Sequence, residues 1–235
     1  MVPPVGPGLD STIASTGPSS TTTKEASVPE DTSRSGRKRQ AIVEAATALF
    51  LDKGYQGTSM DEIASAAAVS KQTVYKHFAD KERLFSAMIL GTLTAVAEPF
   101  ATEIRALTET EDVEKDLGEL ARSYVAAVLQ PRVVQLRRLI ISEAGRLPAL
   151  TRAYYERAPE RTLRGLADCF EHLAGRGLLK VDEPPVAAEH FAFLILGRLL
   201  DKALFYGLPE PFPEAELNRS AEAGVRVFLA AYRPR

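Results

Sequence analysis

The chain has 235 residues, 45% apolar and 26% charged, with a formal net charge of −2, enough for one large or two small domains with proper cores. It shows no apolar run of about 18 residues and no basic-then-apolar leader, which argues against a membrane span or secretory signal. Its lone cysteine, Cys169, excludes an internal disulfide framework and fits a reducing cytoplasm; it reads as a small buried hydrophobe or as a reactive thiol.

Charge and composition divide the chain into three parts: 1–33, 34–83 and 84–235. The first has twenty Ser, Thr, Pro or Gly residues and a net −3; it cannot bury enough surface to offset its ordering entropy, so a disordered tail is expected. Residues 34–83 carry nine Lys/Arg against six Asp/Glu, whereas 84–235 is mildly acidic. A basic module on an acidic body points to a polyanion partner for the module. Arg34, Arg37, Lys38 and Arg39 stand just before the first helical pattern, either as solvated charges at a helix start or as an arm for phosphates and the minor groove.

From residue 40 the pattern is helical nearly throughout. Ile42, Ala45, Ala46, Leu49 and Phe50 mark one face of a first helix, and Gly54 supplies a left-handed stop. A second helix is predicted from about Met60 to Ala67, with Ser59 and Glu62 as a capping box. A third spans about Lys71 to Phe78, with Ser70 as its cap, and Asp80 caps a long fourth from Lys81, which Pro99 should kink or end. Further helices are expected over about 112–129, 133–145, 148–157, 160–175, 186–206 and 214–232, separated by Pro131, Pro148, Pro159, Gly175 with Gly177, Pro184 with Pro185, and the 209–213 prolines. No segment alternates as a strand does, so the fold class is all-α.

The stretch Met60 to Phe78 reads MDEIASAAAVSKQTVYKHF. Ile63, Ala64, Ala67, Val69, Val74 and Phe78 supply the small and apolar positions where two short helices cross at a tight turn. This frees the opposite face of the third helix for a major groove about 12 Å wide. Lys71, Gln72, Thr73 and Lys76 lie on that face, flanked by Tyr75 and His77. Gln72 can bond an adenine edge, Lys71 a guanine or phosphate, and the Thr73 methyl a thymine methyl. Tyr75, Lys76 and His77 suit phosphate oxygens. Thr58 and Ser59 offer hydroxyls and free N–H groups, and Lys81 adds a cation. By spacing alone this is a DNA-binding hairpin or a generic helical hairpin with a polar wet face.

The residues LFLDKGYQGTSMDEIA and then VSKQTVYKHFADKERLF, within 37–85, resemble the DNA-binding domain of the TetR family of bacterial regulators, including its Tyr-x-His-Phe and Lys-Glu-x-Leu-Phe elements. The resemblance implies an N-terminal three-helix DNA-binding domain, here 34–83, and a larger helical ligand-binding and dimerisation domain, here 84–235. It places Thr58, Lys71, Gln72, Thr73, Tyr75, His77 and Lys81 where family members touch DNA. Ala68 departs from the Gly often found in the turn, which implies backbone strain there or a slightly altered turn. The stretch from LRRLIISEAGRL to AAEHF is similar to the AefR-like C-terminal domain.

On the 160–175 helix Leu163, Leu166 and Phe170 form a stripe, and Leu194, Leu199 and Leu204 help make the next helix apolar over more than half its surface. These are candidates for a four-helix dimer interface, as the resemblance implies, or for the monomer's own core. Phe100, Leu120, Tyr124, Leu136, Ile140, Tyr154 and Tyr155 are candidate linings of an effector pocket or plain core residues. Glu143 is a candidate polar contact there, or the partner of Arg138 or Arg146.

An enzyme is poorly supported. The only histidines are His77, His172 and His190, with no metal-site spacing, and neither a Gly-rich phosphate loop nor a Gly-x-Ser-x-Gly elbow occurs. His172 reads as a surface residue and His190 as a satisfied core residue. No catalytic residues, metal, cofactor or membrane partner is expected. The expected partners are a double-stranded DNA operator, a second copy of the chain and a small organic effector, for a cytoplasmic repressor. The alternative is a helical protein-interaction or ligand-binding module without DNA binding, against which Gln72, Tyr75, His77 and Lys81 occurring together argues.

Overall fold

The computed structural model describes residues 30–208 and 210–234; the expected disordered tail over 1–33 lies outside them through residue 29, and its last four residues, 30–33, are helical instead. Among the described residues there are ten helices and no strand: α1 Glu30–Lys53, α2 Met60–Ala66, α3 Lys71–His77, α4 Lys81–Leu107, α5 Val113–Val128, α6 Pro131–Ser142, α7 Pro148–Arg157, α8 Pro159–Gly175, α9 Pro184–Tyr206 and α10 Glu214–Tyr232. The fold is all-α. α1 begins about ten residues before the expected start, because Arg34 to Gln40 offers good helix formers and no breaker beyond Gly36.

Two apolar clusters organise the chain. The first joins Ile42, Ala46 and Phe50 of α1 to Ile63 and Ala64 of α2, Val74 of α3, and Leu84, Phe85, Met88 and Ile89 at the start of α4. Leu136, Leu139 and Ile140 of α6 and Tyr154 of α7 complete it. The second binds α5, α8, α9, α10 and the far end of α4, with Phe170, Phe191 and Phe228 at its centre and ring centroids 5.0–5.5 Å apart.

α4 spans both clusters. It neither ends nor is interrupted at Pro99 but runs on to Leu107. Burial of Phe100, Ile104 and Leu107 beyond the proline offsets a penalty of about 3 kcal/mol for proline inside a helix. α4 is long and apolar enough to cross a membrane; its Leu84, Phe85, Met88 and Ile89 are buried in the first cluster and its Phe100, Ile104 and Leu107 in the second.

Leu166, Phe170 and Leu199 are buried in the second cluster, and Leu163 packs against it. The expected α8 stripe is therefore core, filled from within by Phe191 and Phe228. Of the other expected interface residues, Leu194 is exposed and Leu204 half-buried. At the α9–α10 crossing Gly224 lets the helices touch: a Cβ there would sit 2.8 Å from Ile195 Cγ1 and 3.1 Å from backbone atoms of Ile195 and Leu194. The Ser220 hydroxyl donates to the Ile195 carbonyl at 2.7 Å beside this contact.

Candidate nucleic-acid interface and ligand cavity

The turn between α2 and α3 follows from its caps. Ser59 Oγ accepts from the Glu62 N–H at 3.2 Å, and the Ser59 N–H donates to Glu62 Oε2 at 2.8 Å, a complete capping box. Lys53 lies 2.9 Å from the same carboxylate. The Lys53 and Ser59 hydrogen bonds hold Glu62 far below the usual carboxylate range, at about 2. α2 ends with the Ala68 N–H on the Ser65 carbonyl and the Val69 N–H on the Ala64 carbonyl, the paired bonds of a Schellman motif. That motif needs a left-handed residue, and Ala68 takes the position at φ 52°, the strain expected from its departure from Gly.

α3 buries Val74, with Phe78 buried just past its end, and leaves Gln72, Tyr75 and Lys76 exposed on the other side; His77 and Thr73 are half-buried. Thr73 also shares a 2.8 Å hydrogen bond with Ser70, the α3 cap. Lys71 is tied across the turn to Asp61 at 2.8 Å, and that carboxylate raises its pKa.

Two expected phosphate ligands are placed differently. Thr58 is buried, and its hydroxyl donates to the carbonyls of Gly54 at 2.9 Å and Leu49 at 3.2 Å. Its hydroxyl proton thus fastens the end of α1 to the start of α2 instead of facing a ligand. The Lys81 ammonium lies 4.4 Å from the Tyr55 ring centroid, and burial lowers its pKa. Tyr55 itself stacks on Phe50 and packs at a tilt against Phe85, so Lys81 clamps α4 onto the helix-turn-helix. On α1, Arg34, Lys38 and Arg39 are exposed, with Arg39 lying 5.1 Å from the Phe78 ring centroid.

Between α4, α5, α6 and α7 lies a cavity of about 60 Å³, lined by Phe100, Tyr124, Leu136 and Tyr154 among others. Phe100 and Tyr124 stack at 4.7 Å, and burial pushes the Tyr124 hydroxyl up to about 12. Arg137 enters the same space and donates from Nε to the Tyr154 hydroxyl at 3.4 Å.

The other expected lining residues lie elsewhere. Leu120 and Ile140 are buried in the second and first clusters, Tyr155 is 55% exposed, and Glu143 is buried at the end of α6. Glu143 pairs with Arg146, Oε2 to Nη1, at 3.8 Å; it stands past the last turn of α6, beyond the residues that line the cavity.

Residues 42–88 match the model for bacterial regulatory proteins of the tetR family, and residues 115–234, just over half the chain, match the AefR-like transcriptional repressor C-terminal domain. The chain belongs to the TetR family. A TetR-family regulator from Mesorhizobium loti is 44% identical, covering 86% of this chain and 99% of its own, with a TM-score of 0.80. The flavonoid-responsive regulator FrrA is 34% identical over 85% of this chain and 99% of its own, with a TM-score of 0.64. The repressor DhaR of Mycobacterium sp. strain GP1 is 33% identical over 39% of this chain and 43% of its own. The chain spans between a quarter and under half of the length of the curated relatives it matches first.

In this TetR-family chain several residues escape a reading of the sequence. Arg137 was findable, since Val133, Arg137 and Ile140 follow helical spacing and Val133 and Ile140 are buried. Asp61, which holds Lys71, follows from no local pattern. The large apolar residues left exposed on α9 and α10 are Val186, Phe193, Leu194, Phe205, Tyr206 and Val227, which become visible only once the core is assigned. His190 is exposed, not in the core, and shares a 2.7 Å hydrogen bond with the Tyr232 hydroxyl. Cys169 is buried and its thiol is pushed up to about 12, which favours the hydrophobe over the reactive thiol.

Proposed function

We propose that this chain is a DNA-binding transcriptional regulator, a repressor, that grips a palindromic operator as a homodimer and lets go when a small organic effector binds. One observation carries the reading: α3 is anchored by Val74 and Phe78 and turns Gln72, Tyr75 and Lys76 outward on a basic module. Gln72 supplies a base-reading amide, and Tyr75 and Lys76 supply phosphate donors. Ser59, Lys71, Thr73 and His77 border this face, Lys71 by exchanging Asp61 for phosphate. Thr58 and Lys81 support it by holding α1, α2 and α4 together.

The second copy fits on α9 and α10. Phe193 is 66% exposed and Phe205 82%, unusual for large apolar side chains on one surface. Gly197, with open space where a Cβ would stand, lets a partner helix come close. Two α3 helices about 34 Å apart then read successive major grooves. The α4–α7 cavity, with Leu136 and Tyr154 shared between it and the DNA-module core, is the seat for the effector.

Footprinting of bound genomic fragments, with light scattering of the free protein, tests this. The expected result is a palindromic footprint, two chains per site, and affinity that falls steeply with salt. Gln72→Ala should relax base preference at one position per half-site, and Tyr75→Phe should weaken all sites alike. Unchanged affinity and specificity in both variants would refute the assigned contacts.

A further inference from the structure

We infer that the effector is an aromatic acid: a planar arene with one anionic group, seated by Phe100 and Tyr124 with its charge on Arg137. This rests on the effector cavity proposed above and names the chemistry it selects. The cavity lining is apolar and aromatic apart from two threonines and Arg137, with no Asp or Glu. Arg137 is half-buried there, and among the described residues no carboxylate pairs with it. Its one hydrogen bond, to the Tyr154 hydroxyl at 3.4 Å, is long and leaves its charge facing a neutral acceptor. A guanidinium presents five N–H donors in a fork matched to a carboxylate. A cation held among apolar walls without a counter-ion is stabilised by an incoming anion and repels an incoming cation.

One of the two approaches to the cavity has the same sign. A groove of about 590 Å³ between α4 and α8 shares Ala97, Phe100 and Thr162 with the cavity. Arg105, Arg161, Arg164 and His172 line it with Asp168, and Glu98 pairs with Arg161 at 3.0 Å, which leaves the arginines in excess by one charge. Such a surface concentrates anions at the mouth. A second groove, of about 570 Å³, shares Thr92, Phe100, Ala127 and Val133 with the cavity and carries Glu44 and Glu103 against Arg132, so anions enter from the α4–α8 side. At about 60 Å³ the cavity is too small for an arene. Phe100 is the side chain common to all three spaces, so turning it away from Tyr124 joins the cavity to the grooves and opens a slot walled by the flat face of Tyr124.

Calorimetry on the full chain with naphthoate, naphthamide and naphthylmethylammonium tests the inference, since the three share an arene and differ in charge. Naphthoate should bind at least about tenfold more tightly than naphthamide, and the ammonium least, as expected for a charge-assisted pair. In Arg137→Met naphthoate should fall to the level of naphthamide, with naphthamide itself changed less than about twofold. Arg137→Lys should restore most of the preference. Equal binding of acid and amide, persistence of the preference in Arg137→Met, or no binding by any of the three overturns the inference. Release of footprinted DNA, followed by fluorescence anisotropy, separates this from the reading beneath it. If naphthamide binds and releases DNA as well as naphthoate does, the effector cavity stands and the acid class falls. If naphthoate binds through Arg137 and the DNA stays bound, the acid site stands and its role as effector seat falls.

Discussion

Gly224→Ala is the sharpest test of how α9 and α10 pack. In an open helix the change stabilises, by about 1 kcal/mol, because alanine loses less backbone entropy. Here the new Cβ would stand 2.8 Å from Ile195 Cγ1 and 3.1 Å from the Ile195 nitrogen and the Leu194 carbonyl carbon. Ile195 can turn only by disturbing a fully buried position, and the two backbone atoms cannot turn at all. Overpacking of this kind costs about 1–3 kcal/mol, and contact with backbone places it in the upper part of that range. The net expectation is a loss of about 1–2 kcal/mol, or roughly 3–6 °C in Tm for a chain of this length. Gly197→Ala is the internal control. Its Cβ meets nothing within 4 Å in the single chain, so the folded chain gains helix propensity while association through α9 weakens. Thermal unfolding at several protein concentrations, paired with sedimentation, separates the two effects. A Gly224→Ala protein at least as stable as the parent would refute the close approach of the helices.

Three further outcomes follow from the helix-turn-helix. Ala68→Gly removes a side chain from a left-handed turn and should raise stability by about 1 kcal/mol in urea unfolding, with no change in m-value. Glu62 is held at about 2, below its ordinary 4.5, so the stability it lends is present above 4.5 and lost as pH falls towards 2; Glu62→Gln should flatten the acid limb of unfolding in that window. Asp61→Asn frees Lys71 and removes a negative charge from the face next to the phosphates; operator affinity should rise about two- to tenfold at low salt, with the gain shrinking as salt rises.

Most helices were legible because their stops are chemical. Prolines open α6, α7, α8 and α9 at Pro131, Pro148, Pro159 and Pro184, and Ser59, Ser70 and Asp80 cap α2, α3 and α4 as their spacing predicts. The exposed face of α3 was legible too, since its apolar complement at Val74 and Phe78 could be counted. Partnership across the chain was not. A threonine before a helix looks like a phosphate ligand until the Leu49 and Gly54 carbonyls are found on its hydroxyl. Leu166 and Phe170 look like an interface until Phe191 and Phe228 are seen to cover them. In each case periodicity finds the apolar or polar face, and only the fold says what meets it.

The small size of the cavity bears on how binding there could move the DNA module. A ligand shifts a two-state equilibrium only by the difference in its affinity for the two states, and moving from 1:99 to 99:1 needs about 5.5 kcal/mol. Burying an aromatic ring of about 150 Å² contributes roughly 4 kcal/mol, and a charge-assisted bond to Arg137 about 1.5–3 kcal/mol. That total reaches the requirement only if almost none of it is realised in the unswitched state. A space of about 60 Å³ meets this condition, because it shuts the arene out until Phe100 moves. The walls that must then shift include Leu136 and Tyr154, which pack in one cluster with Phe50, Val74 and Phe85. Close-packed interiors pass such a displacement on instead of absorbing it, so on the proposed effector reading, seating the ring would repack the core from which α3 is held.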